Sequence, residues 1–136
     1  MVRPIMRDVF FLSQKSERAT KDDIPTGRDL LDTLHAHADG CVGMAANMIG
    51  VRKNIIVVHM GFTDVVMFNP VLLKKETPYE AEEGCLSLDG VRKTVRYQNI
   101  TVEYTDFAWH KQRLDLTGWP AQICQHEMDH LAGRII

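Results

Sequence analysis

The most informative segment of this 136-residue chain is "GWPAQICQHEMDHLAG", residues 118–133. Pro120 suits the first turn of a helix, so a helix is predicted near the end of the chain. His126 and His130 are four positions apart, about one helical turn, which places both imidazoles on one face. Glu127 is rotated by about 100° from His126. In this H-E-x-x-H arrangement the two histidines bind a metal ion and the glutamate serves as general base.

Two histidines do not complete a catalytic metal site, which needs three protein ligands and an open position. Two histidines on a polar, solvated helical face are the alternative interpretation. In the extended motif H-E-x-x-H-x-x-G-x-x-H the third ligand is a later histidine. Gly133 matches the motif glycine, but Ile136 stands at the histidine position. The third ligand must therefore lie upstream, where the candidates are Cys41, Cys85, Cys124, the other histidines and the carboxylates.

The segment "EEGCLSLDG", residues 82–90, favours Cys85 among these candidates. Gly84 frees the backbone to present the thiol at a break between two strand regions, and a divalent cation stabilises the thiolate. Burial as a small apolar side chain is the alternative for any free cysteine. Cys124 lies half a turn from His126 on the same helix, so core packing is predicted for it. His35, His37, His59 and His110 are assigned no functional role.

Composition limits the class of protein. The net charge is −2 with 25% charged residues, which argues against direct reading of nucleic acid and against binding to an anionic membrane. The longest apolar runs, such as "NIIVVHM" (residues 54–60), are far shorter than the ~20 residues of a membrane span, and no signal peptide is predicted. Three cysteines do not make a disulfide framework, which fits a reducing cytoplasm. One domain spanning residues 1–136 is expected.

The chain predicts an α+β fold with antiparallel strands packed around a C-terminal metal-binding helix. "TGRDLLDTLHAHADG" favours an earlier helix, with Thr26 as its cap and Gly40 as its end. Alternating and β-branched runs predict strands, with a hairpin across a glycine-containing turn and a stop at Pro70. The predicted strands cover residues 54–60, 64–70, 71–76, 94–106 and 111–116.

Two of these segments together resemble motifs of the peptide deformylase family. "EGCLS" (residues 83–87) matches the second family motif without change, and "QHEMDHL" (residues 125–131) matches the third. Cys85 and His126 are 41 positions apart, a spacing similar to that of the family. The resemblance implies a deformylase-like fold over most of the chain.

The resemblance also implies roles for individual residues. Cys85, His126 and His130 would be the metal ligands, and Glu127 the catalytic acid/base. The backbone N–H of Leu86 would stabilise the oxyanion. Fe(II) is the expected metal, with zinc, nickel and cobalt as alternatives, because a Cys/His/His set suits all of them.

"CVGMAANM", residues 41–48, matches the first family motif with two departures. Gly43 agrees with the motif, and Gly43 and Met44 are the predicted substrate-binding residues. Cys41 replaces a glycine. Met48 replaces a glutamine whose amide helps to hold the oxyanion, and methionine has no hydrogen-bond donor. Asn47 is an amide one position early, and on a strand it would face the opposite way.

The implied enzyme is a metallohydrolase that cleaves a linear amide. It would remove the formyl group from N-formylmethionyl polypeptides and release formate, with reduced activity because of Met48. The expected partners are a formylated peptide or nascent chain and, as a candidate, the ribosome. A degenerate paralogue that binds metal and peptide N-termini without efficient turnover is the main alternative. A redox-sensing thiol protein that uses Cys85 without metal is a third.

Further contacts are less specific. Val42, Met44, Met48 and Ile123 are candidates for a pocket that takes a methionine side chain, with ordinary core packing as the alternative. Arg92 and Arg96 are candidates for contacts to a peptide, with a solvated surface as the alternative.

Overall fold

The computed structural model describes residues 1–85 and 88–134, without the side chains of residues 85, 88 and 89. Within these ranges the α+β expectation is confirmed. The α-helices are α1 (Val9–Leu12), α2 (Ile24–Ala36) and α3 (Gly118–Leu131), and the strands are β1 (Gly43–Ala45), β2 (Ile55–His59), β3 (Asp64–Cys85), β4 (Leu88–Thr105) and β5 (Lys111–Thr117). Short 3₁₀ helices cover Lys21–Asp23 and Ala46–Ile49. No helix in the described part is long and apolar enough to cross a membrane.

The strands form one sheet in the order β1-β2-β3-β4-β5, and each neighbouring pair is antiparallel. The predicted stop at Pro70 is wrong, because β3 continues through it to Cys85. Pro70 is tolerated because β2 pairs with β3 only as far as Phe68, and the β3–β4 register shifts between Phe68 and Val71. The missing N–H of Pro70 therefore falls at an irregularity of the ladder.

Helix α2 occupies a different range from the predicted one. It begins at Ile24, directly after a 3₁₀ turn in which the N–H of Thr20 donates to Asp23 Oδ2 at 2.8 Å. Pro25 lies in the first helical turn, where its lack of an N–H costs no hydrogen bond. The helix ends at Ala36 rather than at Gly40.

The core lies between the sheet and helix α3. Strand β2 is buried from Ile55 to Val58, and Ile123 and Leu131 of α3 belong to the same apolar cluster. Cys124 is fully buried, as predicted, and burial raises the pKa of its thiol to about 12. This thiol is therefore a packing group that does not ionise near neutrality.

Candidate metal centre

Helix α3 brings its three motif side chains together in the interior. The potential ligand atoms of His126, Glu127 and His130 lie within 4.8 Å of one another, and all three residues are buried. The Nε2 atoms of His126 and His130 are 3.0 Å apart. Helical spacing of four residues accounts for this pairing, because it places the two side chains one turn apart on the same face, where their rings meet edge to face.

The orientation of His126 is set by a carboxylate on strand β3. Nδ1 of His126 is 2.7 Å from Oε1 of Glu83. An ionised carboxylate only accepts hydrogen bonds, so Nδ1 carries the proton and donates. The lone pair of Nε2 then points to the neighbouring histidine. A metal-binding histidine is typically held in this way by a carboxylate behind it.

Glu83 is itself held by a buried network. Its carboxylate accepts from Nε and Nη2 of Arg96 and from Nε2 of Gln122. Burial alone would raise the pKa of Glu83, but the hydrogen bonds from His126 and Arg96 outweigh it and lower the pKa to about 2. Nη1 of Arg96 also donates to Asp129 of α3 at 2.6 Å. The network therefore joins β3, β4 and α3 behind the histidines.

The structure shows that both roles considered for Arg96 were wrong. Arg96 is only 3% exposed, so it neither lies on a solvated surface nor contacts a peptide. Its guanidinium fork binds two carboxylates instead, a role that suits its planar geometry. Arg92 is half-buried and lies opposite Glu83 in the β3–β4 register.

Glu127 has the properties of a group that exchanges protons near neutrality. It is 5% exposed, and its Oε1 has no hydrogen-bond partner among the described residues. Burial raises its pKa to about 7, since the opposing effect of His126 is smaller and the charge of Glu83 acts in the same direction as burial. A pKa near the working pH is the value expected of a general acid/base.

His130 is kept neutral by its surroundings. It is fully buried, and burial is the main cause that lowers its pKa to about 3. Its backbone carbonyl accepts from Nδ2 of Asn47 at 2.9 Å. This contact differs from the strand geometry expected for Asn47, which lies in a 3₁₀ helix and is engaged away from the cleft. A neutral imidazole is the form that binds a metal.

These donors fit a divalent cation. Nitrogen ligands lie about 2.0–2.1 Å from zinc-type metals, so two of them on one cation are separated by no more than about 4 Å. The 3.0 Å between the Nε2 atoms of His126 and His130 meets this limit. A carboxylate oxygen of Glu127 lies in the same cluster, within reach of a water molecule that such a cation would hold.

Strand β1 passes close to this cluster, and the approach requires glycine. A Cβ on Gly43 would lie 2.5 Å from Cγ2 of Ile123 and 2.9 Å from Oε2 of Glu127. Any larger residue would push the strand or the carboxylate aside. A cleft of about 180 Å³ opens here. Its walls include Val42, Gly43, Met48, Trp119, Ile123 and Glu127.

The other residues predicted to form the site differ in whether they line the cleft. Met44 is fully buried in the core and does not line the cleft, because alternate residues of β1 face opposite sides. Met48 lines the cleft at 1% exposure, and its Sδ accepts from the N–H of Ala45 at 3.3 Å. Cys85 ends strand β3 opposite Leu88. Its side chain and the whole of Leu86 lie outside the described residues.

Comparison with known proteins identifies the family. The family model "Polypeptide deformylase" matches residues 4–136. The chain belongs to the peptide deformylase family. A peptide deformylase of Clostridium beijerinckii is 56% identical over 136 residues and is covered completely, as is this chain. One from Thermotoga neapolitana is 34% identical over 92% of this chain and 78% of its own length.

Solved deformylase structures share the fold. The crystal structure of the peptide deformylase from Thermotoga maritima superposes with a TM-score of 0.89 at 28% identity, covering 99% of this chain and 95% of that one. For the enzyme from Ehrlichia chaffeensis the TM-score is 0.88 at 29% identity, with 99% and 86% covered. The predicted family resemblance and fold are thereby confirmed.

Sequence reasoning missed the residues behind the histidines. Glu83 and Asp129 lie inside the two matched motifs, so an ionisable side chain in a short motif was an available signal. Arg96 and Gln122 carry no such signal, because nothing local distinguishes them from solvated residues.

Proposed function

We propose that this protein is a metal-dependent hydrolase that removes the formyl group from N-formylmethionyl polypeptides and releases formate and a free amine. The observation that carries the proposal is the buried cluster of His126, Glu127 and His130 beside a cleft, in a chain of the peptide deformylase family. Nascent chains at the ribosome in the cytoplasm are the proposed source of substrate.

The proposed metal ligands are Cys85, His126 and His130, with Fe(II) first and zinc, nickel or cobalt as alternatives. The 3.0 Å between the Nε2 atoms of the two imidazoles supports their assignment as ligands of one cation. Cys85 is supported by its place at the end of strand β3, two residues from the carboxylate that orients His126. When bound, the cation acts as a Lewis acid and lowers the pKa of water toward neutrality.

Glu127 is the proposed acid/base. It accepts a proton from the attacking water and returns it to the amine nitrogen as the C–N bond of the formamide breaks. Its pKa of about 7 suits both directions of transfer. Its burial keeps bulk water from competing for the proton. The N–H of Leu86 is the proposed donor to the oxyanion that forms on the formyl oxygen.

Met48 is the residue on which the rate depends. It lines the cleft where the family has a glutamine, and it offers the oxyanion no donor. Loss of one such donor typically costs a factor of ~10²–10³ in turnover. We therefore propose slow hydrolysis. The same residue favours the second candidate function, a paralogue that binds metal and formylated N-termini without efficient turnover.

The deciding experiment measures formate release from formyl-Met-Ala-Ser by protein loaded in turn with Fe(II), Ni(II) and Zn(II). We expect a rate above buffer in at least one form, and its loss in Glu127→Gln at equal metal content. Rates equal to buffer in all three forms would instead assign the binding function.

A further inference from the structure

Gln122 lies between the substrate cleft and the network behind the metal centre. It precedes His126 by four residues on α3, so the two side chains share a helical face. Its side chain also lines the cleft. Its Nε2 donates to Oε2 of Glu83 at 2.9 Å, and its Oε1 accepts from the hydroxyl of Tyr79 at 3.1 Å.

Tyr79 sets the direction of this amide. Burial and then the charge of Glu83 raise the pKa of the Tyr79 phenol, so it remains a donor. A phenol that donates to Oε1 of Gln122 leaves Nε2 directed at the carboxylate. The reversed amide would place an oxygen against a carboxylate and would be repelled.

The two oxygens of Glu83 are held differently. Oε1 accepts from His126 and Arg96, while Oε2 accepts from Arg96 Nε and from Gln122. Without Gln122, Arg96 would be the only residue among these that holds Oε2. The carboxylate could then turn about its Cγ–Cδ bond and change the direction in which it accepts from His126.

We propose that Gln122 is a positioning residue for the metal centre, because together with Tyr79 it fixes the carboxylate of Glu83 and thereby the ring of His126. The inference rests on the proposed function, in which His126 is a ligand. Neither Gln122 nor Tyr79 lies in the motif segments, residues 41–48, 83–87 and 125–131.

The test compares zinc affinity, measured by competition with a chromogenic chelator, in wild type, Gln122→Met and Tyr79→Phe. Methionine keeps the length of Gln122 and removes its donor. Loss of a residue hydrogen-bonded to a metal ligand typically weakens metal binding by ~10–100-fold. Gln122 acts one hydrogen bond further out, through Glu83, so we expect the lower end of that range, about 10-fold, for Gln122→Met and a smaller loss for Tyr79→Phe. Gln112→Met and Tyr97→Phe are the matched controls, and they should bind zinc as wild type does.

Two further measurements separate positioning from structure. The kcat for formate release should fall in Gln122→Met with KM nearly unchanged, while the melting temperature of the metal-free protein stays near that of wild type. Adding Tyr79→Phe to Gln122→Met should have no further effect on zinc affinity, because Tyr79 acts through Gln122. If Gln122→Met does not fold, Tyr79→Phe alone decides.

The inference is overturned by wild-type zinc affinity in both variants, by additive effects in the double variant, or by a wild-type protein that binds no zinc. It survives a failure of the proposed function: zinc affinity weakened in Gln122→Met, with no formate released by wild type, would assign positioning in a metal-binding protein without turnover.

Discussion

Replacing Met48 by glutamine tests whether a missing hydrogen-bond donor to the oxyanion limits the rate of hydrolysis. Sδ of Met48 accepts from the N–H of Ala45 at 3.3 Å in the cleft wall. A glutamine side chain has similar reach, so its oxygen can accept from the same N–H while its NH₂ group faces the cleft. One regained oxyanion donor is worth about 2.7–4 kcal/mol, a factor of ~10²–10³. We therefore expect kcat to rise by at least ~10²-fold.

The same substitution should lower stability. Position 48 is 1% exposed, and burying an amide that is only partly hydrogen-bonded costs ~1–3 kcal/mol. A faster enzyme with a lower melting temperature is thus the expected combination. Formate release from formyl-Met-Ala-Ser is compared at equal metal content, with Met48→Leu as a control that has no donor. An unchanged rate in Met48→Gln, or an equal gain in Met48→Leu, would show that a missing oxyanion donor does not limit turnover.

Three other predictions follow from the packing and charges. Gly43→Ala places a Cβ 2.9 Å from Oε2 of Glu127. Displacement of a catalytic group by about 1 Å typically lowers the reaction rate by ~10²-fold, so the rate of formate release should fall by that factor. Full activity of this variant would contradict the close approach of strand β1 to Glu127. Arg96→Met leaves the carboxylates of Glu83 and Asp129 without their buried cation. Urea denaturation should show an unfolding free energy lower by about 3–5 kcal/mol. A decrease under ~1 kcal/mol would instead match a surface ion pair. Burial raises the pKa of Asp64, but hydrogen bonds from His59 and His35 lower it overall. The stabilisation by Asp64 is therefore complete above the unfolded pKa of about 3.9 and is lost as pH falls through the folded pKa. From pH 5 to pH 3 the wild type should lose more unfolding free energy than Asp64→Asn, and parallel stability curves would contradict the lowered pKa.

The local pattern of the last helix was enough to predict the histidine pair. Four-residue spacing places His126 and His130 on one face of any α-helix, whatever surrounds it. The ends of the strands were harder to predict from the sequence, as the continuation of β3 through Pro70 shows. That continuation depends on where β2 stops pairing, a property of two strands together.

Contacts between distant segments could not be read from the chain. Arg96 is 13 positions from Glu83 and 33 from Asp129, and its charge alone is equally compatible with a solvated surface. The β3–β4 register and the packing of α3 bury Arg96 and Glu83 and bring the half-buried Asp129 against the same guanidinium. The place of Met44 in the core and of Met48 in the cleft likewise depends on the turn from β1 into the 3₁₀ helix.

The amino-acid sequence alone determined the α+β class, the H-E-x-x-H pattern of the last helix and the family, because these depend on residue types at short, regular spacings. The tertiary structure alone decided how Glu83 is held, why position 43 is glycine, and that burial moves the pKa of Glu127 to about 7. Desolvation and carboxylate–guanidinium geometry arise only when separate elements pack together, so no local pattern encodes them.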